Sequence, residues 1–177
     1  MHRVVQELPT LLTGVQAREF EARRDQLIGR GVAEDLSTHV AILPVAYAGL
    51  EIVEIAKRDS LDAIDVARVH ATLAERLGLS QMAAMISALP REDRWQTMAR
   101  ASLRDDFHAV HAALTAQVLA STQPDAPTET RIAEWESDDS VVVTRATATL
   151  EDILGDDEAD LARLSVGLRV IRTLLTT

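Results

Sequence analysis

Histidine, aspartate and lysine are the side chains of this 177-residue sequence from which chemistry could be assembled. The five histidines are His2, His39, His70, His108 and His111, and Lys57 is the only lysine. Only His108 and His111 lie close together. With Asp105 they spell D-x-x-H-x-x-H, which on a helix lines three potential metal ligands along one side. A structural reading of the same residues is stronger. His108 falls on a polar stripe with Arg100 and Arg104, while His111 sits one turn after Phe107, where a hydrogen-bonded boundary histidine is the usual occupant. Glu51 and Glu54 share a helix face, but with no perturbing surroundings they read as solvated charges rather than an acid–base pair. Lys57, in IAKRDS, sits at a helix C-terminus, where the helix dipole favours a cation.

Other chemistries lack their parts. No cysteine is present, which removes disulfides, zinc ribbons and thiol nucleophiles and fits a cytoplasmic protein. The seven glycines never form G-x-G-x-x-G or G-x-x-x-x-G-K-[ST]. No glutamate is followed by histidine three residues later, so a bundle-type di-iron site is missing, and H-E-x-x-H is absent too. No catalytic, cofactor-binding or metal site is therefore expected. The formal net charge of −10 repels nucleic acid. Apolar runs such as 40–50 look too short for a bilayer, and the N-terminus MHRVVQELP lacks the features of a signal peptide, so a soluble protein is expected.

Aromatics make up only 3% of a chain that is 47% apolar, so small and branched aliphatics must build the core, which favours closely packed helices. Periodicity predicts helices near 15–30, 33–43, 46–57, 62–77, 81–89, 92–122, 130–136, 140–154 and 158–175. Gly29 and Gly31 should stop the first, Pro44 should kink or break the second, and Ser60 or Asp62 should cap the fourth. Trp95, Ala99, Leu103, Phe107, Val110, Leu114 and Val118 recur at helical spacing, which marks 92–122 as the central helix. Gly167, inside the last helix, marks close approach of another backbone. The expectation is an all-α bundle of about eight helices in one domain, 1–177, with the loop 123–130 (QPDAPTET) setting off a C-terminal subregion.

Trp95 and Trp135 are the only tryptophans. Arg94 and Arg100 flank Trp95, and Arg104 follows one turn later. Trp and Arg are enriched in interface hot spots, so Arg94, Trp95, Arg100, Arg104 and Trp135 are candidates for a domain or subunit interface. The alternative is that Trp95 begins the apolar stripe and packs inside.

The segment LPREDRWQTMARASLRDDFHAVHAALTAQVL, residues 89–119, resembles the C-terminal region of the large-type bacterial NAD-specific glutamate dehydrogenases. The likeness is carried by Leu89, Pro90, Arg94, Trp95, Gln96, Ala99, Arg100, Leu103, Arg104, Asp105 and Asp106, and continues through His111, Leu114 and Thr115. LEIVEIA at 50–56 and LSVGLRVIRTLL at 164–175 extend it over most of the chain. His108 stands where the family usually carries an aromatic, which weakens the metal reading. The resemblance implies a non-catalytic helical domain of a longer cytoplasmic enzyme of amino-acid catabolism. That enzyme would oxidise L-glutamate with NAD, its dinucleotide loop and catalytic Lys and Asp lying in a preceding domain. It implies as partners the catalytic domain of the same polypeptide and neighbouring subunits of a homo-oligomer, with no nucleic acid and no membrane. A free-standing helical interaction or dimerisation protein is the alternative. The two are separated by the reading frame upstream of Met1: the resemblance implies that it stays open and encodes a G-x-G-x-x-G, whereas a stop codon just upstream favours the free-standing protein.

Overall fold

A computed structural model describes residues 14–123, 125–138, 140–155 and 160–175. Among the described residues all regular structure is helical, as expected. The helices are α1 (Gly14–Gly29), α2 (Glu34–Asp59), α3 (Ala63–Arg76), α4 (Leu79–Ala88), α5 (Arg94–Ser121), α6 (Thr128–Asp138), α7 (Ser140–Leu154) and α8 (Leu161–Thr173). The chain divides into two compact units, Met1–Glu54 and Ile55–Thr177.

In the first unit Phe20 of α1 meets Ala41 and Ile42 of α2, with Val45 packed alongside. Arg23 Nη1 donates to the Ala41 carbonyl at 3.4 Å. The stop after α1 is a Schellman turn. Gly31 takes the left-handed φ of 84° that the motif requires. Its N–H donates to the Ile28 carbonyl and that of Val32 to the Leu27 carbonyl, at 2.8 and 3.1 Å.

Pro44 neither breaks nor ends its helix, and the two segments expected at 33–43 and 46–57 are one helix of 26 residues. Proline forfeits one hydrogen bond and clashes with the preceding turn, a local cost that a long helix absorbs. The continuous α2 also corrects the estimate from uninterrupted apolar runs. By length and composition it is apolar enough to cross a bilayer, and only 22% of its apolar window is buried. Core helices of water-soluble proteins pass the same test of composition but are mostly buried, so α2 is set apart from them by its exposed apolar side.

The second unit is built on α5, which packs against α3, α4, α6 and α8, while α7 pairs with α8. Leu103, Phe107, Val110, Leu114 and Val118 form its buried face. Carboxylates start three of the helices. Asp62 accepts from the N–H groups of Ile64 and Asp65 ahead of α3, Asp93 from that of Gln96, and Asp160 from that of Ala162. Ser60 is no cap; it holds a left-handed φ of 56° just after α2. Arg131, almost fully buried, donates through Nε to the Ala126 carbonyl at 3.0 Å and ties down the turn ahead of α6.

Gly167 does mark a close approach, but the neighbour is a side chain. A Cβ there would come within 2.5 Å of Met82 Cε, with Ile153 next nearest. Gly167→Ala is expected to change stability by less than about 1 kcal/mol, because the gain in helix propensity offsets displacing a flexible methyl group. Gly167→Leu is expected to cost about 1–3 kcal/mol by overpacking. Urea unfolding followed by circular dichroism reads both.

Candidate functional site

The D-x-x-H-x-x-H residues lie on α5 as predicted, but they do not converge. Asp105 is exposed and accepts from Arg104, Nη2 to Oδ1 being 3.1 Å. His108, half-buried, lies edge-on to Phe107 with ring centroids 5.5 Å apart. His111 is buried and points into the unit, where its Nε2 donates to the carbonyl oxygen of His70 on α3 at 3.0 Å. A carbonyl only accepts, so this bond places a proton on Nε2 of His111. The two imidazoles stack with centroids 3.6 Å apart and an interplanar angle of 28°. Among the described residues no three His, Asp or Glu side chains are grouped to hold a metal ion. His111 therefore joins α5 to α3 through one hydrogen bond and one stacked contact.

The two tryptophans have separated. Trp135, 6% exposed, belongs to the core with Ile132. Trp95 is 72% exposed, so it does not begin the buried face of α5, which starts at Leu103. Met98 beside it is also exposed, and the Arg94 guanidinium lies 5.9 Å from the Trp95 ring centroid, within cation–π range. Arg100 donates from Nη1 to the Ser87 carbonyl at 2.9 Å. Its guanidinium is pushed below its ordinary value by burial, and further by the positive charges of Arg91 and Arg104. The first turns of α5 and the residues just ahead of it thus carry four arginines, Arg91 to Arg104, balanced by Glu92, Asp93, Asp105 and Asp106, with Trp95 exposed beside Arg94. Arg94, Trp95, Arg100 and Arg104 share this region, and Trp135 is not on its surface.

Two shallow concavities occur in the second unit. One, of about 580 Å³, is lined by Leu119–Gln123 and Glu134. The other, of about 330 Å³, lies between α3, the start of α4 and the end of α7. Two of its polar side chains are engaged: Arg76 pairs with Glu129 at 3.2 Å, and Gln81 donates to the Leu154 carbonyl at 2.7 Å. The hydroxyls lining the two concavities, Ser121 and Thr122 in one and Thr147 in the other, donate to backbone carbonyls. Lys57 is exposed in the last turn of α2, next to an Arg58–Asp59 pair at 2.7 Å that holds the Asp59 carboxyl below its ordinary range.

One surface escaped the sequence reading. Leu36, Val40, Leu43, Tyr47, Leu50 and Val53 are all exposed along α2. From Leu36 to Leu50 their spacing is 4, 3, 4 and 3, a heptad pattern. The expected break at Pro44 had cut that pattern in two.

A model of the family described as "Glutamate dehydrogenase, C-terminal" matches residues 1–173. The NAD-specific glutamate dehydrogenase of Mycobacterium tuberculosis (strain ATCC 25618 / H37Rv) is 39% identical over 166 residues, which is 94% of this chain and 10% of that protein. That of Pseudomonas aeruginosa is 29% identical over 168 residues, 95% of this chain and 10% of the relative. That of Halomonas elongata is 28% identical over 158 residues, 89% of this chain and 10% of the relative. The chain thus spans about a tenth of the length of the curated relatives it matches.

The contrast between the tryptophans predicts unequal responses. Trp135→Ala is expected to cost about 3–5 kcal/mol through the cavity it leaves. Trp95→Ala is expected to stay within about 0.5 kcal/mol of the parent chain, as exposed positions do. His111→Ala, losing a buried ring and its hydrogen bond, is expected to cost about 2–4 kcal/mol. Denaturant midpoints of the three variants check these values, and equal effects at the two tryptophans would contradict them.

Proposed function

The chain belongs to the glutamate dehydrogenase C-terminal family, and on that premise we propose that it serves as a non-catalytic helical accessory domain of an NAD-specific glutamate dehydrogenase. The observation that carries this reading is the family match along 1–173 of the 177 residues. Such an enzyme converts L-glutamate, NAD⁺ and water to 2-oxoglutarate, ammonium, NADH and a proton. No residue here is assigned a step in that reaction. The dinucleotide-binding loop and the catalytic lysine and aspartate belong, in this reading, to a catalytic domain elsewhere in the enzyme, together with the NAD they handle. The reading places the protein in the cytoplasm.

The arrangement of polar residues supports a supporting role. His70 and His111, the histidines inside the second unit, bind each other and hold α3 to α5. What the surface offers is contact area rather than a cleft: the region of Arg94, Trp95, Arg100 and Arg104, and the apolar face of α2. In this reading the partners are the catalytic domain of the enzyme and neighbouring subunits of a homo-oligomer.

Two measurements test the proposal. The purified chain, incubated with L-glutamate and NAD⁺, is expected to form no NADH by absorbance, and turnover would overturn the non-catalytic reading. Deleting the matching segment from the Mycobacterium tuberculosis relative is expected to lower its melting temperature or its activity. A chimera with this chain in that place is expected to regain both. A chimera no better than the deletion would contradict an accessory role.

A further inference from the structure

From residue 36 to residue 50 the helix α2 contains no Asp, Glu, Lys or Arg on any side. One side of this stretch is covered within the first unit, where Ala41 and Ile42 meet Phe20. The opposite side is the exposed heptad stripe, with Tyr47 at 63%, Leu50 at 60% and Leu36 at 56% exposure. A contiguous exposed apolar stripe is the usual mark of a contact surface.

Four things could cover it: another part of this chain, a bilayer, a second copy of the chain, or another protein surface. Labelling of the free chain, below, tests the first. A bilayer fits poorly with the first unit. Placing Ala41 in hydrocarbon would carry Arg23 with it, since Arg23 donates to the Ala41 carbonyl. It would also draw in α1, with Arg18, Glu21, Arg24 and Asp25, and charged side chains at membrane depth are costly. A second copy is opposed by charge, because two chains of formal net charge −10 repel each other at long range. A body linked in the same polypeptide has the advantage. In each relative the similar segment is about 10% of one polypeptide. Covalent linkage presents the rest at an effective concentration on the order of millimolar.

We propose that the stripe Leu36, Val40, Leu43, Tyr47 and Leu50 is the face by which this domain docks on the body of an NAD-specific glutamate dehydrogenase. This inference rests on the accessory-domain reading and adds to it the surface used.

The absence of cysteine allows a direct test. Leu43→Cys, Tyr47→Cys and Leu50→Cys are made singly, in the free chain and in the chimera with the Mycobacterium tuberculosis relative. Val141→Cys, an exposed position on α7, serves as control. Labelling by N-ethylmaleimide is followed by peptide mass spectrometry. The three stripe positions are expected to label readily in the free chain. In the chimera they should label slower by about tenfold or more, since a packed interface core excludes reagent as it excludes water. The control should not change. Equal labelling of the stripe in an active chimera overturns the docking face and leaves the accessory reading standing. An inactive chimera overturns both. Protection in the free chain that disappears on dilution assigns the face to a second copy. Protection that appears only with phosphatidylcholine–phosphatidylglycerol vesicles assigns it to a bilayer. Protection in the free chain at every concentration shows that the chain itself covers the face. Each of these last three outcomes overturns the proposal.

Discussion

Helices in proteins are stabilised mainly by burying one apolar face, and α5 shows what that demands of its neighbours. Leu103, Phe107, Val110, Leu114 and Val118 are buried along one side of it, Leu114 and Val118 completely. At about 1.5–3 kcal/mol for each fully buried aliphatic or aromatic side chain, this face outweighs any capping or ion-pair contribution in the unit. α3, α4, α6 and α8 are each placed by contact with α5. Exposed ion pairs such as Arg172–Asp106, at 2.9 Å, decorate this arrangement and do not determine it.

The burial of α5 also explains the fate of the histidines. A core made of Leu, Ile, Val and Ala offers almost no polar partners. A histidine at the edge of the buried face must find one on a neighbouring backbone, and His111 finds the carbonyl of His70. The two imidazoles also cover one face of each other by stacking. Two side chains that sequence spacing offered as a ligand and a stray histidine are a packing device, with the ligand spacing a by-product of helical periodicity.

What was legible in the sequence followed the strength of the local signal. The helical class and the central helix rest on periodicity, the start of α3 rests on Asp62, and these survive in the fold. Where a residue's environment depends on distant chain, the sequence was silent. Trp95 obeys the helical spacing of Leu103 and Phe107 but lies beyond the helices that cover them, so it is exposed. Trp135 has no comparable run of large apolar neighbours, yet it is buried. Pro44 misled for a different reason. Its local cost is borne by a helix that is long on either side of it, and the heptad stripe runs across it. The close contact at Gly167 was legible, whereas its partner Met82, far away in sequence, was not.

The two exposed apolar features differ in what they require of their surroundings. Trp95 is a single aromatic with the Arg94 guanidinium over its ring, and lone exposed apolar residues are ordinary on protein surfaces. Water tolerates it, so its exposure calls for no partner. The stripe on α2 is five side chains in register on a helix that lacks charge for four turns, in a chain that carries 28 acidic and 18 basic residues elsewhere. A sequence that rich in charge has ample means to make every exposed face polar. The side of α2 facing Phe20 needs apolar residues for packing, whereas among the described residues the opposite side stays exposed. On the docking proposal a partner accounts for that side's composition, which makes α2, rather than Trp95, the surface on which the proposal turns.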